Sequence, residues 1–262
     1  MSRRTLALLA LVATLAGCGL TSEDVPPIGG PSSDVKSGSS GSITVLAAAS
    51  LTEAFTRIGT AFEQANPGAT VTFSFGPSSG LAQQIIQGAP ADVFAAASPK
   101  TMGVVTAAGD AGPATTFASN DMQIAVPPSN PAKITGLPDL ARDGVKVALC
   151  QVKVPCGTVA AKVFANAKLT VTPVTEEADV KSVLAKVQLG EVDAGVVYGT
   201  DVQAAGAKVR GIAIPQAVNA STAYPIAVLA ASKNAATARA FVAYVRSPAG
   251  RSVLDAAGFR AP

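Results

Sequence analysis

From Ile43 onward, short β-branched or apolar runs alternate with amphipathic stretches of helical spacing, and this alternation confines the chain to an α/β architecture. Strands are expected at 43–47, 70–75, 92–96, 123–126, 146–149, 171–174 and 194–197. Helices are expected at 51–64, 80–87, 158–167, 180–189, 235–245 and 249–256, with a further one opening at Pro99. Proline suits that opening position because its missing N–H would be unpaired there anyway. Such alternation implies a parallel-type sheet covered on both faces, whose ligands sit beyond the carboxyl ends of the strands.

Four strand-to-helix junctions therefore carry the search for a site. Ser50 stands before the helix that begins Leu51-Thr52-Glu53 and reads as its N-cap, and Ser78 and Ser79 hold the equivalent place before the next helix. Pro155-Cys156-Gly157-Thr158 and Glu177-Ala178-Asp179-Val180 open two more, with Asp179 expected to cap the helix starting at Val180. Taken singly, each is ordinary helix capping. Converging, they would line a cleft with unpaired N–H groups and hydroxyls, a setting for a negative ion.

Gly76-Pro77-Ser78-Ser79-Gly80 also fits the G-x-S-x-G pattern of a hydrolase nucleophile elbow between a strand and a helix. The chain contains no histidine, so the base of a Ser-His-Asp arrangement is missing. A secreted serine hydrolase using Ser78 would need a Ser-Lys variant, with Lys100, Lys133 and Lys153 the nearest lysines in sequence.

The N-terminus reads as a lipoprotein signal peptide over residues 1–17. Arg3 and Arg4 precede an apolar run from Leu6 to Leu15, and Leu15-Ala16-Gly17-Cys18 follows. Cys18 is expected to become the lipidated first residue, with a Ser-, Gly- and Pro-rich tether over residues 18–41. The 20 basic residues, less Arg3 and Arg4, stand against 17 acidic ones, which leaves a mature charge near zero. That balance, without a basic patch interleaved with aromatics, argues against a nucleic-acid partner. Charged residues make up 14% of the chain against a typical figure of about a quarter, which indicates large buried surfaces. Cys150 and Cys156 form an even pair in an exported chain; a disulfide is favoured over two free thiols. Two cysteines with no histidine fall short of a structural zinc site.

With these residues in view, the chain resembles the substrate-binding proteins of molybdate ABC transporters. The resemblance rests on Ala47-Ala48-Ala49-Ser50-Leu51, Phe75-Gly76-Pro77-Ser78-Ser79-Gly80-Leu81-Ala82 and Gly88-Ala89-Pro90-Ala91-Asp92-Val93-Phe94. It continues through Val154-Pro155-Cys156-Gly157, Glu177-Ala178-Asp179-Val180, Gly195-Val196-Val197-Tyr198-Gly199 and Tyr224-Pro225-Ile226-Ala227-Val228. It implies a two-lobed type II periplasmic binding protein fold with two crossover segments and an inter-lobe cleft: lobe I over 43–120 and 224–262, lobe II over 121–223.

The resemblance further implies that an oxyanion is held by Ser50 and Ser78, the backbone amides of Cys156 and Val180, and the hydroxyl of Tyr198. Cys156 replaces a common alanine and Pro77 a frequent serine, which removes one amide beside Ser78. A site built only of donors suits a fully deprotonated tetrahedral dianion, whereas phosphate usually keeps a proton and needs an acceptor. The expectation is a non-enzymatic, monomeric binding protein for molybdate, with tungstate as a second ligand and no cofactor. It would deliver the anion to an ABC permease and its ATPase while anchored outside the cytoplasm through lipid on Cys18. Another tetrahedral oxyanion such as sulfate is the alternative ligand.

Overall fold

The computed structural model describes residues 39–262, so Cys18, the signal segment 1–17 and most of the tether lie outside the described residues. Its first element, β1 (Gly41–Ala48), begins at the last residue of the expected tether. There the Gly41 amide donates to the carbonyl of Gly68 at 2.8 Å, tying the chain down. A 3-10 turn (Ala49–Leu51) leads into α1 (Thr52–Ala65), which buries Ala54, Phe55, Ile58 and Phe62 at the spacing of one helix face. β2 (Ala69–Gly76), α2 (Ser78–Ile86), β3 (Val93–Ala95) and α3 (Pro99–Ala107) follow. Pro99 does open α3, behind a Ser98 cap that accepts from the Thr101 amide.

The second stretch runs β4 (Thr115–Val126), a 3-10 turn (Leu137–Ala141), β5 (Val147–Cys150), α4 (Pro155–Ala167), β6 (Thr175–Glu177) and α5 (Val180–Gln188). Then come β7 (Ala194–Tyr198), α6 (Gly199–Ala205), a 3-10 turn (Gly206–Lys208), β8 (Arg210–Ala213) and β9 (Ser221–Val228). The chain closes with α7 (Ala235–Arg246) and α8 (Pro248–Ala256).

The strands form one path in the order β2-β1-β3-β9-β4-β7-β5-β6, with β8 beside β4. The expectation of a parallel sheet is corrected here: β1 pairs in parallel with β2 and β3, and β5 with β6 and β7, but β4 and β9 run antiparallel to every neighbour. These two strands are the reason. The first half of β4 pairs with β9 and its second half with β7 and β8, so one long strand is shared by both halves of the sheet.

Pro225 lies inside β9, between β3 and β4, where a proline cannot donate to the ladder. β4 answers with a register irregularity between Thr116 and Ala118, opposite that proline. The run expected as a strand at 171–174 is irregular backbone, because Pro173 interrupts it, and the strand forms at β6 instead. Buried apolar side chains fall into one cluster from residues 122–214 and two from residues 43–118 and 224–259. No described helix is long and apolar enough to cross a membrane.

Candidate functional site

The four junctions singled out in the sequence meet. A cavity of about 20 Å³ is lined by Ser50 and its neighbours, by Gly76, Pro77 and Ser78, by Val154, Pro155 and Cys156, and by Asp179, Val180 and Tyr198. A volume near that needed by one water molecule admits only a small ligand. Ser50, Ser78, Cys156, Val180 and Tyr198 are each less than 5% exposed.

Each residue arrives by a different local route. Ser50 follows β1 within the 3-10 turn and caps no helix, contrary to expectation, since Leu51 precedes α1 without a side-chain cap. Its hydroxyl instead lies 2.9 Å from that of Tyr224 on β9. Behind this pair, Asn120 Nδ2 donates to Thr200 Oγ1 at 2.7 Å and lies 3.5 Å from the Tyr224 hydroxyl. Burial pushes the Tyr224 pKa upward, so its proton stays on. Either hydroxyl can donate in this pair; in the arrangement where Tyr224 donates to Ser50, the Ser50 proton is free for the cavity.

Ser78 is the first residue of α2, two positions earlier than the expected helix start, and Pro77 precedes it without a side-chain cap. Its Oγ accepts the Ala97 amide at 3.0 Å, which leaves the hydroxyl proton available as a donor. Among the described residues no lysine lines the cavity, and Lys100 and Lys153 line a neighbouring groove. Asp92 is also spent elsewhere, with its carboxylate accepting the Thr44 amide and the Ser232 hydroxyl.

Cys156 sits in the first turn of α4, which starts three residues before the expected 158 and has no side-chain cap. Early helix amides have no intrahelical acceptor, so this end presents them outward. Cys150 and Cys156 form a disulfide with their Cα atoms 5.8 Å apart. Gly157 completes the turn: a Cβ there would stand 2.0 Å from the Gln151 carbonyl oxygen, so only glycine lets α4 approach the end of β5 this closely. Val180 opens α5 behind Asp179, whose Oδ1 accepts the amides of Lys181 at 2.8 Å and Ser182 at 3.0 Å. Asp179 therefore caps as expected, with Oδ1 taken up by the amides of Lys181 and Ser182, and the amide of Val180 is uncommitted by the cap.

Tyr198 ends β7 and is fully buried, yet its hydroxyl makes no hydrogen bond of good geometry, with the Tyr224 hydroxyl nearby but poorly aligned. An orphaned buried hydroxyl costs about 1–3 kcal/mol, so a ligand that accepts from it recovers free energy. Burial, first of all, raises its pKa well above that of a free tyrosine, so it too remains a donor. The sequence shows no role at the site for Asn120 or Thr200, and Tyr224 enters there only within a segment that carries the resemblance. Tyr224 belongs to a run of apolar residues whose strand signal was masked by Pro225. Among the described residues, no group of three or more His, Cys, Asp or Glu side chains could hold a metal ion.

The family model described as "Bacterial extracellular solute-binding protein" matches residues 43–260. The molybdate-binding protein ModA of Mycobacterium tuberculosis is 44% identical over 253 residues, covering 96% of this chain and 95% of the relative. The fold is that of the periplasmic molybdate-binding protein of Azotobacter vinelandii, at a TM-score of 0.75 and 20% identity, covering 84% of this chain and 99% of that one. The sulfate-binding protein SubI of Mycobacterium tuberculosis also superimposes, with a TM-score of 0.72 and 20% identity over 84% of this chain and 86% of that one. The fold alone therefore does not choose the anion. By sequence over nearly its whole length, the chain belongs to the bacterial extracellular solute-binding proteins and, among them, to the ModA family of molybdate-binding proteins.

Proposed function

We propose that this protein binds molybdate between two lobes, over 43–120 with 224–262 and over 121–223, and hands it to an ABC permease and its ATPase. The observation that carries the reading is the fully buried Tyr198 hydroxyl, which makes no well-formed hydrogen bond, in a cavity whose one acidic residue, Asp179, caps two helix amides through Oδ1. Donors for the anion are Ser50, Ser78 and Tyr198 through their hydroxyls and Cys156 and Val180 through their amides. Such a set favours a dianion without protons over one that must donate. Tungstate, of the same charge and shape, is the second ligand. The separation of the buried clusters between residues 122–214 and the rest supports the two-lobe division, with β4 and β9 as the crossing segments.

The protein acts as a monomer without catalysis or cofactor, and lipid on Cys18 holds it outside the cytoplasm. The signal pattern supports the anchor; substituting Cys18 by serine should release the protein from the membrane fraction. Isothermal titration of the protein lacking residues 1–18 tests the ligand. Heat is expected with molybdate and tungstate at micromolar concentration and none with sulfate or phosphate. Silence with molybdate, or equal heat with sulfate, would overturn the assignment.

A further inference from the structure

Beside the cavity, Lys181 on the first turn of α5 holds its ammonium 2.8 Å from both carboxylate oxygens of Glu53 on α1. The same ammonium stands 3.1 Å from Oδ1 of Asp201 on α6. The other oxygen of Asp201 accepts the Tyr198 amide at 3.2 Å. Each member of this triad is a near neighbour in sequence of a proposed anion donor: Glu53 follows Ser50, Lys181 follows Val180, and Asp201 follows Tyr198. Glu53 belongs to lobe I and the other two to lobe II, so the triad joins the lobes beside the ligand.

The two arms of the triad are unequal. The Asp201 side chain is 0% exposed, and a lysine that left it would strand a buried charge at a large cost. The Glu53 side chain is 44% exposed and can be hydrated without help. When the lobes part, Lys181 therefore stays with Asp201 and the contact with Glu53 is the one that breaks.

We propose that Lys181 is a positioning residue, a cation seated on Asp201 that clasps Glu53 across the cleft in the closed form and slows release of the anion. The proposal rests on the anion-binding reading above. It goes further by naming what holds the closed state besides the ligand. Simple electrostatics predicts the opposite sign for one variant: removing the negative charge of Glu53 would make the region more welcoming to an anion. A clasp makes the same change weaken binding.

The experiment measures molybdate affinity by calorimetry and association and dissociation rates by stopped-flow tyrosine fluorescence, on the purified wild-type protein and E53Q, K181M, E53Q/K181M and K181R. E53Q and K181M should each speed dissociation about tenfold with association little changed, and the double variant should be no worse than K181M alone. K181R should restore slow release, and the ligand-free melting temperature of E53Q should match wild type. Because K181M strands Asp201 and can impair folding, E53Q carries the decision. Tighter or unchanged binding by E53Q overturns the clasp. So does a coupling between Glu53 and Lys181 that appears in the ligand-free melting temperature and not in the dissociation rate, since that describes a fixed structural pair. Wild-type protein that gives no heat with molybdate fails the functional reading itself, and the clasp with it.

Discussion

Ser50 and Ser78 face the cavity from the β1 and β2 side as hydroxyls, each steadied from behind by Tyr224 or by the Ala97 amide. Cys156 and Val180 face it from the other side as backbone positions at the starts of α4 and α5. On the first side the chemistry resides in side chains, and substitution can remove it one group at a time. On the second the two proposed amide donors depend on helix geometry, and only a change that moves the backbone can remove them; Tyr198, from the same side, is the one proposed donor there that acts through its side chain.

The largest effect should come from the geometric side. Gly157→Ala gains up to about 1 kcal/mol of helix propensity. The methyl would nonetheless stand 2.0 Å from a backbone oxygen, and the clash should prevail, costing about 3 kcal/mol or more of stability together with most of the affinity. Chemical denaturation and calorimetry would read both. If Gly157→Ala binds normally, the α4 start does not need this close approach.

Asp201 sharpens the same contrast through pH. Burial raises its pKa to about 6 despite the Lys181 ammonium, which opposes the shift. For a carboxyl whose folded pKa lies above its unfolded value, the favourable contribution is complete below about pH 4 and is lost as pH rises through about 6. The stability of the wild type relative to Asp201→Asn should therefore decline between pH 4 and pH 7, by about 3 kcal/mol. A flat difference across that window would show that the carboxyl is not strained by burial.

Among the hydroxyls, Ser78→Ala and Tyr198→Phe should each cost about 1–3 kcal/mol of anion affinity but part company in the empty protein. Ser78→Ala leaves the buried Ala97 amide without its acceptor and should lower the ligand-free melting temperature. Tyr198→Phe removes a hydroxyl that makes no well-formed hydrogen bond and should leave that temperature unchanged or raise it. Opening the Cys150–Cys156 bridge by Cys150→Ser should cost about 2 kcal/mol of stability, the chain-entropy value for so short a loop. The smallest effect belongs to Ser79→Ala: Ser79 lines the adjoining groove rather than the cavity, so affinity should change by less than about 0.5 kcal/mol.

Much of the scaffold was legible because its signals are local. Apolar spacing located α1, α5, α7 and α8 to within a residue or two, and Pro99 marked the start of α3. Where glycine stood at a helix start the reading failed, placing α2 and α4 too late at Gly80 and Thr158. Gly157 serves close packing against the Gln151 carbonyl within the first turn, which local propensity cannot register. Prolines misled in both directions. Pro173 broke an apolar run that looked like a strand, while Pro225 sits inside a real one because β4 shifts register opposite it.

The strand and helix alternation, the candidate donors and the absence of histidine are properties of the chain read in order, because capping, periodicity and residue chemistry act over a few neighbours. The antiparallel β4 and β9, the Tyr224 and Asn120 support behind Ser50, and the Glu53–Lys181 arm of the triad join residues far apart in the chain, as the separations of 80, 128 and 174 in their hydrogen bonds record. Only burial in a packed core decides such pairings, since a side chain chooses its partner by what desolvation leaves within reach.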